Sequence, residues 1–138
     1  MYPGENILAG YNALGEIIME KYLSLFCRFE ISKSQLQKEI GEDLHNIECK
    51  KAYSIKCSDI INAIQLFLNG TISISALVEW VNVIWFTELF VFDDNETDSI
   101  ISVLEVLETM DEDGVVISEN DFANMITALM SNTEYIPV

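Results

Sequence analysis

The sequence predicts a single all-α domain, folded as one compact bundle of about six helices. Apolar residues recur at steps of three and four through most of the chain, which is the period of one helical face. Several of these segments begin with capping residues or end at glycine. Half of the 138 residues are apolar, which supports one hydrophobic core, and a chain of this length is too short for two comfortable domains. We therefore expect residues 1–138 to form one helical domain.

The first two helices are predicted over residues 6–29 and 34–50. The apolar stripe of the first is Ile7, Tyr11, Leu14, Ile18, Tyr22, Leu25 and Phe29, and that of the second is Leu36, Ile40, Leu44 and Ile47. Gly41 lies inside the second segment and weakens the expectation of a continuous helix there, since glycine lowers helix propensity by about 1 kcal/mol.

The next two helices are predicted on either side of Asn69-Gly70. Ser58 is the expected N-cap of the third helix, which Asn69-Gly70 ends. The tetrad Thr71–Ile74 is expected to be extended, and Ser75 to cap a fourth, central helix, whose apolar residues are Leu77, Trp80, Val81, Ile84, Trp85 and Phe90. Because this helix contains a β-branched run, a strand over 83–92 is the competing interpretation.

The last two helices are predicted from their capping residues. Asp93-Asp94-Asn95 is expected to cap a fifth helix that runs through Met110. Ser118, with Asp121 three residues later, approximates a capping box for a sixth helix. The tail over 132–138 is expected to fray.

The charges are distributed unevenly along the chain. Seven basic and 23 acidic residues give a formal net charge of −16, and every basic residue lies between Lys21 and Lys56. Residues 1–56 are near neutral at −1, whereas residues 57–138 hold fifteen carboxylates without a Lys or Arg. This charge excludes a phosphate-neutralising nucleic-acid binder and a protein that docks on an anionic membrane. A solubilising acidic surface is the alternative interpretation.

The sequence offers little for catalysis. The one histidine, His45, lies among acidic residues, and no Gly-rich phosphate loop occurs. Cys27, Cys49 and Cys57 form no CxxC pair, so the sequence predicts neither a zinc site nor another cofactor, and reduced thiols favour the cytoplasm. No signal-peptide pattern is present, and the longest apolar stretch, 76–92, is interrupted by polar residues. We expect a protein that is not an enzyme.

A turn at Asp111-Glu112-Asp113-Gly114 is similar to part of an EF-hand calcium loop. When Gly114 is placed at loop position six, position one is Thr109 and position twelve is Asn120. The first carboxylate and the bidentate glutamate are therefore both absent. No metal site is predicted.

A binding role is predicted for the acidic part of the chain. Asp111–Asp113 follow a predicted helix C-terminus, where the helix dipole disfavours negative charge, although Asp113-Gly114 would also make an ordinary turn. Either tryptophan is a candidate anchor, because interface cores favour aromatic residues. The predicted partner-binding residues are Asp93, Asp94, Glu96, Asp98, Glu105, Glu108, Asp111, Glu112 and Asp113, with Trp80 or Trp85.

The stretch from Ile64 to Val81, IQLFLNGTISISALVEWV, resembles a helix-to-helix junction of small helical bacterial immunity proteins. In this family, which includes immunity proteins of colicin D and of contact-dependent growth inhibition systems, an apolar helix ends before Ile-Ser or Ile-Thr and an acidic aromatic helix follows. Leu104–Glu108 and the Asp-rich turn before Phe122 are similar in style, so the resemblance covers roughly 60–130. It implies a cytoplasmic antidote that binds a cognate toxin, frequently a basic nuclease domain, and blocks its active site.

Two other classes of function remain as alternatives. The first is an acidic nucleic-acid mimic of phage type, which would share the charge but differ in its target. The second is a structural or adaptor subunit that oligomerises through its apolar fourth helix. For an immunity protein, we expect a monomer before the toxin is bound.

The incomplete EF-hand loop leads to a prediction about calcium. Millimolar CaCl₂ is expected to shift the melting temperature no more than ionic screening does, because carboxylate ligands are missing at both ends of the loop. MgCl₂ at the same ionic strength is the control in thermal unfolding. A saturable heat of calcium binding with a micromolar constant, measured by titration calorimetry, would contradict this prediction.

Overall fold

The computed structural model describes residues 13–41 and 52–137. In these ranges the chain forms six helices and two short strands, which are α1 (Ala13–Cys27), α2 (Lys33–Ile40), β1 (Tyr53–Ile55), α3 (Cys57–Leu68), α4 (Ile74–Phe86), β2 (Phe90–Phe92), α5 (Thr97–Leu107) and α6 (Glu119–Met130). The expectation of a mainly helical protein is confirmed. The expectation of a purely all-α bundle is wrong, since β1 and β2 pair as a two-stranded parallel sheet.

The chain divides into two compact units. Among the described residues, the first unit contains 13–41, 52–53 and Val83–Val91, and the second contains Ser54–Asn82 and 92–137. The prediction of one domain over 1–138 stays a prediction.

In the first unit, α1 packs against α2. Met19, Leu23 and Phe26 of α1 are buried at helical spacing, together with Leu36 and Ile40 of α2. The Phe26 ring lies 6.0 Å from that of Phe90. The buried residues of α2 belong to its predicted stripe, which is confirmed. The predicted stripe of α1 is wrong by one position, since Ile18, Tyr22 and Leu25 are only half-buried and the residues after them form the core.

Both helices of the first unit end earlier than predicted. α1 ends at Cys27 because Phe29 takes a left-handed φ of 62°, and the Glu30 N–H then donates to the Leu25 carbonyl. α2 ends at Ile40, where Gly41 takes a φ of 87° and donates its N–H to the Gln37 carbonyl. Residues 6–12 of the first predicted helix and 42–50 of the second lie outside the described residues.

In the second unit, α3, α5 and α6 pack against one another. The Phe67 ring of α3 lies 5.6 Å from the Phe122 ring of α6. Fully or nearly fully buried side chains from the three helices form this core, namely Ile60, Ala63, Ile64, Ile100, Val103, Leu104, Leu107, Phe122, Met125 and Leu129. The first residues of α4 belong to the same unit.

β1 lies where the sequence predicted no strand. β2 covers only the last part of the strand that was the competing interpretation for 83–92. The Tyr53 N–H donates to the Leu89 carbonyl at 2.8 Å, and the Asp93 N–H donates to the Ile55 carbonyl at 2.9 Å. The competing strand over 83–92 is correct only for Phe90–Phe92, since α4 continues to Phe86. Because parallel strands need a long crossover, α3 and α4 supply the connection between them.

The junction between α3 and α4 is a turn and not the predicted extended tetrad. Asn69 and Gly70 end α3, as predicted, and Ile74 already belongs to α4. Ser73 caps α4, because its Oγ accepts a hydrogen bond from the Ala76 N–H at 3.1 Å. The prediction that Ser75 is the cap is therefore wrong by two residues.

Two further caps differ from the prediction and one is confirmed. Lys56, not Ser58, is the N-cap of α3, and Glu96, not the 93–95 triplet, is the N-cap of α5. α5 ends at Leu107 and not at Met110. The capping box of α6 is present, with the Ser118 Oγ accepting from the Asp121 N–H and the Asp121 carboxylate accepting from the Ser118 N–H.

The tail after α6 is attached to the second unit, although the sequence predicts fraying. Tyr135 is 7% exposed, and its N–H donates to the Ser102 Oγ at 2.8 Å. Asn132, with a φ of 50°, donates from Nδ2 to the Asn95 carbonyl. These bonds connect residues more than thirty positions apart, which local sequence patterns do not show.

None of the helices in the described residues is both long enough and apolar enough to cross a membrane.

The buried tail leads to a prediction about stability. Tyr135→Ala is expected to lower the free energy of unfolding by about 2–4 kcal/mol, because it removes a buried aromatic side chain and leaves a cavity. The neighbouring Ile136→Ala is the matched control and should change it by less than about 0.5 kcal/mol, since Ile136 is 74% exposed. Urea unfolding followed by circular dichroism measures both. Equal stabilities of the two variants would contradict the observed attachment of the tail.

Candidate protein-binding site

The uneven charge of the sequence coincides with the two units. Over its described residues, the first unit contains five acidic and four basic residues. The second unit contains fourteen acidic residues and one basic residue, Lys56. The large negative charge therefore belongs to one folded unit and is not spread over the whole protein.

Within the described parts of the chain, no ion pair neutralises a carboxylate of the second unit. Among the described residues, the ion pair observed joins Arg28 to Glu30 at 2.7 Å, and both lie in the first unit. Neighbouring carboxylates repel one another, and water and salt screen this repulsion only in part. A cationic surface brought against this unit would relieve it.

Two of the predicted site carboxylates have structural roles. Asp93 is half-buried, and its Oδ1 accepts a hydrogen bond from the Asn95 N–H at 2.9 Å, in the turn that enters α5. The Oε1 of Glu96 accepts from the Cys57 N–H at 2.6 Å, a contact across 39 positions that joins the starts of α3 and α5. Backbone N–H groups at a helix N-terminus favour such a negative partner.

The Cys57 thiol beside this contact is not a reactive group at neutral pH. Burial raises its pKa to about 11; a hydrogen bond with Ser99 opposes the rise, and Glu96 adds to it. The thiol is therefore protonated at physiological pH, and the thiolate is the reactive form of cysteine. The Glu96 contact thus stabilises the fold and creates no nucleophile.

The other predicted carboxylates lie at the two ends of α5. Asp94 and Asp98 are exposed at its beginning. Glu105 is exposed two residues before the helix ends, and Glu108 is the half-buried C-cap. Since α5 has eleven residues, its ends are about 16 Å apart. The structure therefore separates the predicted acidic face into two groups.

The second group continues into the loop between α5 and α6. Asp111, Glu112 and Asp113 are all exposed there. Successive turns order the loop, with the Glu112 N–H donating to the Thr109 carbonyl and the Val115 N–H to the Glu112 carbonyl. Gly114 has a φ of 82°, which glycine adopts more readily than other residues. Asp113-Gly114 therefore forms a turn, and the carboxylates of Asp111, Glu112 and Asp113 are exposed at it.

The tryptophans do not both lie at the surface. Trp80 is 1% exposed and is part of the core, so Trp85 is the one of the two candidate anchors that has exposed surface. Trp85 is half-buried and its ring stacks on the ring of Phe86, with centroids 5.2 Å apart. Trp85 belongs to the first unit, whereas the predicted carboxylates belong to the second.

Sequence reasoning missed two exposed apolar residues beside the acidic turn. Val116 is 89% exposed and Val115 is 37% exposed. Comparison with an EF-hand loop places Val116 at an apolar position of that motif, but the exposure of its side chain excludes a role in the core. The absence of a helical period between Gly114 and Ser118 is the signal that these valines belong to no buried helical face.

The described residues contain no group of three or more His, Cys, Asp or Glu side chains arranged to hold a metal ion. Comparison of the chain with protein-family models, with curated proteins and with solved structures found no match.

The two roles of the carboxylates lead to a prediction. Glu96→Ala should lower the free energy of unfolding by about 1–3 kcal/mol, because it leaves the Cys57 N–H without its charged acceptor. Glu105→Ala, in the same helix, is the matched control and should change it by less than about 0.5 kcal/mol, since Glu105 is exposed. Chemical denaturation at pH 7 measures both. A smaller effect for Glu96→Ala than for Glu105→Ala would show that the interhelical contact is unimportant.

Proposed function

We propose that the protein is a cytoplasmic immunity protein, which neutralises a cognate bacterial toxin by binding tightly over the toxin's active site. The observation that carries this proposal is the second unit, in which fourteen carboxylates accompany one Lys without an ion pair among the described residues. A partner rich in Lys and Arg is the natural complement of such a surface. The protein's own role is binding and not catalysis.

A nuclease domain is the proposed toxin, because a nuclease must present a positive surface to the phosphates of its substrate. Exposed carboxylates at both ends of α5 offer negative charge over about 16 Å. An acidic surface on a folded helical unit would occupy a nuclease cleft in place of nucleic acid. Complementary charge also speeds association, which suits an inhibitor that must intercept a lethal protein early.

The resemblance to immunity proteins is consistent with the local structure of the stretch that carries it. The stretch contains the end of α3, a turn at Asn69 and Gly70, and the first half of α4. Gly70 has a φ of 82°, which explains why glycine stands at this junction. We propose a monomer for the unbound protein, because the charge of the second unit opposes contact with the same unit of a second copy.

The proposal predicts that charge reversal slows association. Because an immunity gene normally follows the gene of its toxin, the probe is a catalytically inactive form of the nuclease domain that the proposal expects the neighbouring gene to encode. Asp94→Lys/Asp98→Lys and Asp111→Lys/Asp113→Lys are each expected to reduce the association rate constant roughly tenfold or more at low ionic strength, and to flatten its dependence on salt. Stopped-flow fluorescence measures the rates.

The matched control is Glu20→Lys/Glu88→Lys, which changes the net charge equally at exposed residues of the first unit. It should slow association by less than about threefold. Equal slowing by all three double variants would mean that only total charge matters. An unchanged association rate in the two second-unit variants would contradict the proposal, as would a stable dimer that has no affinity for the nuclease domain.

A further inference from the structure

The most exposed of the large apolar side chains in the described residues lies in the acidic loop between α5 and α6. Val116 is 89% exposed, and its neighbour Val115 is 37% exposed. Exposed carboxylates stand on both sides in the sequence, at 111–113 before the valines and at Glu119 after them. In the described part of the second unit, this is the one place where two adjacent exposed valines have exposed carboxylates on both sides in the sequence.

These valines contribute little to the fold of the second unit. A side chain that leaves nine-tenths of its surface in water gains little from burial. A polar residue would serve equally well at position 116 of a surface loop. Single exposed apolar residues are ordinary, but here two adjacent valines interrupt a run of charged and polar side chains.

The loop holds the valines on an ordered backbone. At its start, Met110 is 9% exposed, and the Thr109 and Glu112 N–H groups donate to carbonyls three residues earlier. At its end, the Ser118 and Asp121 capping box begins α6. A contact segment that is already ordered loses little conformational entropy when a partner binds.

We propose that residues 111–119 are the docking loop for the toxin, with Val115 and Val116 as its apolar anchor. This inference rests on the proposed function and replaces the expected tryptophan anchor with one in the acidic unit itself. The partner surface that fits is a small apolar depression surrounded by Lys and Arg. The apolar residues enter the depression, and the carboxylates of the loop lie opposite the basic residues around it.

Charge complementarity favours a basic toxin surface over a second copy of the chain as the partner of this loop. The loop of a second copy has the same three carboxylates next to the same valines, so the two loops would repel each other. An anionic membrane surface is opposed for the same reason. A basic protein surface relieves the repulsion and buries the valines at once.

The two kinds of contact should affect different rate constants. Long-range attraction by carboxylates acts mainly on association, and close apolar contacts act mainly on dissociation. Loss of the valines should therefore leave the association rate and its salt dependence unchanged. This separates the anchor from the general charge of the second unit.

The experiment compares Val116→Ser and Val115→Ser/Val116→Ser with Ile136→Ser as the matched control. Ile136 is 74% exposed and lies in the same unit but outside the loop. The probe is again the inactive nuclease domain expected from the neighbouring gene, immobilised for surface plasmon resonance. Val116→Ser is expected to dissociate roughly tenfold faster than the unsubstituted protein, the double variant faster still, and Ile136→Ser within about twofold of it.

Urea unfolding of each variant shows whether the fold is preserved, and the exposure of Val116 predicts that it is. If the unsubstituted protein binds the nuclease domain but the double variant dissociates at the same rate, the docking loop is refuted while the proposed function stands. If the unsubstituted protein does not bind the domain, the proposed function itself fails, and the docking loop fails with it. Faster dissociation of Ile136→Ser by the same factor would also refute the loop assignment.

Discussion

The negative charge of the second unit is the constraint on which the rest of the structure depends. Fourteen carboxylates and one Lys occupy its described residues, and no ion pair among them offsets the repulsion. The unit folds because its apolar residues form a buried core and because several carboxylates lie where backbone N–H groups partly neutralise them. Asp59, Glu96 and Asp121 each accept a hydrogen bond at the start of a helix. The remaining charges are exposed to water.

The carboxylates therefore divide into two classes by what they contact. Those at helix starts satisfy N–H groups that would otherwise lack acceptors, so stability alone explains them. Asp111–Asp113 lie on the exposed loop after α5 and accept no such helix-start hydrogen bond among the described residues. We propose that recognition of a basic partner explains their placement. The exposed Val115 and Val116 beside them would add an apolar contact to the proposed charged interface.

The site that emerges differs from the acidic face expected from sequence. Periodicity placed Asp98 and Glu105 correctly on the exposed side of a helix, because side-chain direction follows the helical period. Periodicity does not distinguish Trp80 from Trp85, since both lie on a helix that is apolar nearly all round. Glu96 was expected to face a partner, but it caps a helix whose start lies 39 positions earlier. Capping by a residue that is distant in the chain cannot be recognised from the local sequence.

The sequence alone determined the features that depend on neighbouring residues. Helix interiors, the glycine that ends α2, the Ser118 and Asp121 capping box and the separation of charge all follow from residues within a few positions of one another. Tertiary structure decided the pairing of β1 with β2, the burial of Tyr135 and the exposure of Val116. Three-residue strands are too short to show a period, and hydrogen bonds such as that from Tyr135 to Ser102 join residues far apart in the chain. Burial is a property of the packed chain, and local patterns alone do not determine it.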